Sequence, residues 1–99
     1  MNYDVSHVLS AARKVLKPYA DAGLIVEDGI AAFADLDHSR IPTVYVRVKL
    51  ADGQGGPNLK NENRLRDQIS DVMKSEGDVR NLALSFYRVN EDQTVSFGA

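Results

Sequence analysis

Val44-Tyr45-Val46-Arg47-Val48-Lys49-Leu50 alternates apolar with amphiphilic side chains without a break. Period-two alternation marks a strand with one face in a core. Val44, Val46, Val48 and Leu50 are expected to point inward, and Tyr45, Arg47 and Lys49 onto the opposite face. Everything else in the chain is read relative to this two-sided strand.

On its N-terminal side, Val5, Val8, Leu9, Ala12, Val15, Leu16 and Tyr19 fall on one stripe at spacings of three and four, which predicts a first helix. Asp4 is the expected N-cap, Pro18 predicts a kink or restart near Lys17, and Gly23 is the expected stop. From Leu24 to Leu36 the chain reads as extended. Asp28-Gly29 fits either a hairpin turn or a bulge in one bent strand. Asp37 to Arg40 is a polar connection, and the strand that starts at Thr43 is expected to run antiparallel to the one before it.

On the C-terminal side, Ala51 to Asn63 reads as one long irregular connection containing Gly53, Gly55 and Gly56. Its glycines match neither phosphate-binding spacing, so a flexible connector is expected there. Leu65, Ile69, Val72 and Met73 mark the apolar face of a second helix, capped by Asn58 or Asn61 and stopped by Gly77. Asn81 to Val89 returns to strand, with Leu82, Leu84 and Phe86 on one side and Ala83, Ser85 and Tyr87 on the other. After a turn at Asn90 to Gln93, Thr94 to Phe97 is read as a last short strand, hairpinned to the one before it.

The expected fold class is α+β: one domain over residues 1–99, with two helices on one face of a roughly four-stranded sheet, in the order αββαββ. The second helix makes its connection either a right-handed crossover or a return to the far sheet edge. The order is loosely similar to small α-β-β-α-β modules that build rings or dimerise in larger bacterial assemblies. That resemblance is one of topology, and no functional residue is carried over from it.

Composition narrows the function classes. The 99 residues are 43% hydrophobic and 26% charged, as in ordinary globular domains. A formal charge of −2 argues against a dedicated nucleic-acid binder, which needs a basic surface for phosphates. The absence of cysteine excludes disulfides, a thiolate nucleophile and cysteine-type zinc sites. Met1 to Ser10 lacks a basic segment followed by an apolar run, and no stretch approaches membrane-spanning length, so a cytoplasmic protein is expected.

No catalytic motif is visible. His7 and His38 are the only imidazoles, and neither stands in a nucleophile motif. Asp35, Asp37 and His38 offer oxygen and imidazole donors, but a solvated turn is the preferred reading and neither metal nor cofactor is expected. Glu62, Asp67, Asp71, Glu76 and Asp78 read as a solvated acidic face of the second helix and its end.

The expected functional surface is the sheet face opposite the helices: Phe33, Tyr45, Arg47, Lys49, Ser85 and Tyr87. Aromatic rings interleaved with arginine bury large areas at small entropic cost. The expectation is a non-enzymatic protein-binding module whose partner is another protein or a copy of itself, with nucleic acid disfavoured by the acidic balance and no membrane partner. A small immunity protein that neutralises a bacterial toxin domain is the favoured version, because an acidic inhibitor meets a basic target quickly. The alternatives are a self-associating assembly or adaptor subunit and, behind these, a small-ligand or metal-binding domain.

Overall fold

The computed structural model describes residues 4–51 and 59–88. It is an α+β arrangement of α1 (Ser6–Asp21), β1 (Ile25–Leu36), β2 (Pro42–Leu50), α2 (Leu59–Ser75) and β3 (Asn81–Tyr87). The three strands form one sheet in the order β1-β2-β3, with β1 antiparallel and β3 parallel to the central β2. The expected fourth strand, Thr94 to Phe97, lies outside the described residues. No described helix is long and apolar enough to cross a membrane.

The alternation read from the sequence places the core. Val44, Val46 and Val48 are fully buried, and Leu50 nearly so. Their register partners Ala34, Ala32 and Ile30 in β1, and Leu82, Leu84 and Phe86 in β3, share that face. Val8, Ala11, Ala12 and Leu16 of α1 and Leu65, Ile69 and Met73 of α2 complete the same cluster. Burial on this scale supplies about 25 cal/mol for each Å² of apolar surface removed from water.

Both helices stop where their glycines predict. Gly23 has φ +77° and Gly77 φ +83°. The Leu24 amide reaches back to the Tyr19 carbonyl and the Asp78 amide to the Met73 carbonyl, the long bond of a Schellman ending. The start of α1 differs from expectation. The N-cap position of α1 is Val5 rather than Asp4, although the Asp4 carboxylate still accepts from the amide and hydroxyl of Ser6. Asn61 is inside α2, because the helix begins at Leu59 and takes over the last part of the expected connection; Asn58 lies outside the described residues. Glu62 in the first turn favours that earlier start by opposing the helix dipole.

Pro18 neither ends nor restarts α1, which runs unbroken to Asp21. It lies in the last turn with its ring exposed, where the one intrahelical bond it forgoes is that to the Lys14 carbonyl. Val72 is 38% exposed, at the margin of the α2 stripe rather than in the core.

Asp28-Gly29 is a bulge and not a hairpin turn. Ile25 pairs with Leu50 and Ile30 with Val48, so Val26 to Gly29 stand opposite Lys49 alone. A Cβ on Gly29 would fall 2.6 Å from the Lys49 Cβ and 3.2 Å from the Val26 carbonyl oxygen, closer than the first pair of atoms can approach. Gly29→Ala should therefore shift the backbone and cost about 2 kcal/mol. Gly23→Ala meets nothing within 4 Å and is strained only by its positive φ, at about 1 kcal/mol. Thermal melts of the two variants check this ranking; equal losses would remove the steric account of Gly29.

Candidate functional site: the sheet face away from the helices

The residues between the core positions assemble the opposite face. Phe33 pairs with Tyr45 and Ala31 with Arg47 across the antiparallel ladder. Tyr45 neighbours Ala83, Arg47 neighbours Ser85 and Lys49 neighbours Tyr87 across the parallel one. All six residues named from the sequence thus lie on one face, because register pairing keeps cross-strand neighbours on the same side of a pleated sheet.

Two ring contacts organise this face. Phe33 and Tyr45 stack with centroids 5.1 Å apart and planes inclined by 16°. The Arg47 guanidinium lies over the Tyr87 ring, 4.7 Å from its centroid. Phe33 remains 47% exposed, Arg47 and Ser85 are exposed, and Tyr45, Lys49 and Tyr87 are half-buried. Such contacts each contribute about 0.5–1.5 kcal/mol and hold their side chains in defined orientations.

Beside Tyr45 an open cleft of about 530 Å³ runs between α2 and the starts of β2 and β3, lined by Asp37, Arg66, Ser70, Lys74 and Asn81 among others. Its charges are of both signs. The charge of the sheet face itself is positive, from Arg47 and Lys49, while Asp67 and Asp71 on α2 and Glu76 just after it are exposed. The acidic balance of the chain is therefore not carried by the aromatic face.

The donors considered for a metal are engaged locally. The Asp37 carboxylate accepts the amides of Ile41 and Ser39 within the β1–β2 connection, and these bonds hold its pKa below the ordinary carboxylate value. The Asp35 carboxylate accepts the Leu36 amide. Among the described residues no group of three His, Asp or Glu side chains is placed to hold a metal ion.

Sequence reading missed one polar cluster. Asp78, read as part of a solvated stripe, has a side chain only 8% exposed. Arg80 Nε donates to its Oδ1 at 2.9 Å and a terminal guanidinium nitrogen to its Oδ2 at 2.6 Å. His7 Nε2 lies 2.7 Å from the same Oδ2, and Arg80 also donates to the Asp4 carbonyl at 2.8 Å. The Arg80 guanidinium above all, with His7, holds the Asp78 carboxyl well below the usual aspartate range against the opposing effect of burial. The cluster ties the start of α1 to the segment between α2 and β3. Asp-x-Arg after a helix-ending glycine was its one local trace, and nothing local placed His7 beside Asp78.

The chain matches no protein-family model, no curated protein and no solved structure.

Proposed function

We propose that this chain is a non-enzymatic protein-binding module that docks through the sheet face of Phe33, Tyr45, Arg47, Lys49, Ser85 and Tyr87. The observation that carries the reading is the pair of ring contacts, Phe33 on Tyr45 and Arg47 on Tyr87, held on the face away from the helices. Rings and a guanidinium already oriented lose little further freedom when a partner covers them. The complementary patch on the partner is apolar with a carboxylate rim, to meet Arg47 and Lys49. The favoured version is a cytoplasmic immunity or inhibitor protein that occludes a toxin domain in this way. Charge then contributes through the acidic helix side, which steers a basic target during encounter, and not through the contact face.

The test is a pull-down from source lysate followed by titration with the captured protein. Replacing Tyr45 and Arg47 together with alanine should weaken that binding about thirtyfold or more, as for central anchors of an interface. The melting transition should change by the equivalent of about 1–3 kcal/mol, the loss of the two ring contacts, because both side chains lie outside the core. Binding unchanged by the double substitution would remove the face from the reading. Relief of growth arrest when the chain is co-expressed with the captured protein would support the inhibitor version.

A further inference from the structure

β1 ends the sheet on one side, and no strand among the described residues pairs with its outer edge. The hairpin decides which groups that edge presents. The Asp37 amide donates to the Ile41 carbonyl at 3.0 Å, which makes these two a hydrogen-bonded pair. In an antiparallel ladder such pairs recur at every second residue. Asp35 with Thr43, Phe33 with Tyr45 and Ala31 with Arg47 are therefore the pairs that bond β1 to β2. Ile30, Ala32, Ala34 and Leu36 turn their amides and carbonyls outward. Pro42, which stands opposite Leu36 and has no amide hydrogen, fits this assignment.

Edge strands are ordinarily blunted by lysine, proline, a bulge or a covering segment. The Val26–Gly29 bulge protects the first part of β1. From Ile30 the sequence Ile-Ala-Ala-Phe-Ala-Asp-Leu has no proline, no lysine and one charge, Asp35. Large exposed apolar side chains gather here as well: Phe33 at 47%, Leu36 at 45% and, in the connection, Ile41 at 45%.

We infer that β1 pairs antiparallel with β1 of a second copy of this chain, about a two-fold axis through Phe33. This register brings Ile30 opposite the partner's Leu36 and Ala32 opposite the partner's Ala34, so the outward backbone groups of each copy find a partner except the Leu36 amide, which donates to the Asp35 carboxylate of its own chain. On the core-facing side the matched side chains are apolar. On the other side Ala31 meets the partner's Asp35 and Phe33 meets the partner's Phe33, and no like charges stand opposite each other. One strand thus supplies both halves of a self-complementary contact, the requirement for a closed two-fold dimer. This contact uses the strand edge and Phe33, and leaves Tyr45, Arg47, Lys49, Ser85 and Tyr87 of the proposed docking site open.

Sedimentation equilibrium on the full chain tests it. The expected result is twice the 10.9 kDa chain mass, with dissociation on dilution. Ala34→Pro removes an outward amide without breaking a bond to β2, and Phe33→Lys sets like charges across the axis. Both variants should sediment as monomers with the circular dichroism of the parent. Hydrogen exchange on the unmodified chain should show the Ala32 and Ala34 amides protected when concentrated and exchanging freely when dilute, a readout that stands even where Ala34→Pro does not fold. The Tyr45→Ala, Arg47→Ala double variant should dimerise like the parent. A monomer at the highest soluble concentration, a dimer that survives Phe33→Lys, or free exchange at Ala32 and Ala34 in the concentrated sample overturns the proposal.

Discussion

Val46→Asp should leave the chain without a cooperative melting transition. Val46 is fully buried on the central strand, between Ala32 of β1 and Leu84 of β3, with the helices over the same face. The substitution forfeits about 2 kcal/mol of apolar burial. It also places a carboxyl where no donor waits, at several kcal/mol more whether the group stays charged or takes up a proton. A domain of this size has about 5–15 kcal/mol in total, so the two losses together consume most or all of it. Arg47→Asp is the matched control, since it adds the same group one residue along and on the opposite face. Far-UV circular dichroism and thermal melts separate the two; if they melt alike, the assignment of faces is wrong.

The second large effect is expected at Asp78. Asp78→Ala would leave the Arg80 guanidinium, whose side chain is 10% exposed, without its carboxylate. Removing one member of such a pair costs about 3 kcal/mol, because the largely buried guanidinium loses the carboxylate that chiefly balances it. The Arg80 amide also loses the acceptor that Oδ1 provides at 3.1 Å. Replacing both residues, as in Asp78→Leu with Arg80→Met, should destabilise less than Asp78→Ala alone, and urea denaturation of the three variants measures the difference. A double variant no better than the single one would show that the contact geometry, and not the unpaired charge, sets the cost.

The same carboxylate makes stability depend on acid. The folded chain holds Asp78 ionised at pH values where the unfolded chain, near the ordinary aspartate pKa of about 3.9, already binds a proton. Its contribution is therefore complete above that value and is lost progressively as pH falls below it, toward the depressed folded value. Asp4 and Asp37 are shifted in the same direction by the amides they accept and act with the same sign. Stability measured between about pH 6 and 2 should fall steeply at the acid end for the parent chain, and distinctly less steeply for Asp78→Asn.

These outcomes separate what is local in this chain from what is not. The strand through Val44 to Leu50, the two helices, the glycine stops at Gly23 and Gly77, and the shared face of Phe33, Tyr45, Arg47, Lys49, Ser85 and Tyr87 were all legible in residue order. Each follows from a periodicity or a φ requirement that a few neighbouring residues impose. The start of α1 was less legible, since Asp4, which carries capping chemistry, stands one residue before the N-cap position. The restart expected at Pro18 does not occur, because the single bond it forgoes lies within a helix whose other bonds hold.

What the linear order alone determined is therefore the set of elements and the side of each that turns inward, because apolar spacing acts within one helix or strand. Tertiary structure decided the choices that need two distant segments to meet. Gly29 became a bulge because β2 brings the Lys49 Cβ against it. β3 runs parallel to β2 because the chain crosses over through α2 before pairing. Asp78 pairs with Arg80 two residues on, but it left the solvated stripe because folding also buries this pair and brings His7, 71 residues away, to its carboxylate. Burial is a property of such meetings, and no window of neighbouring residues contains it.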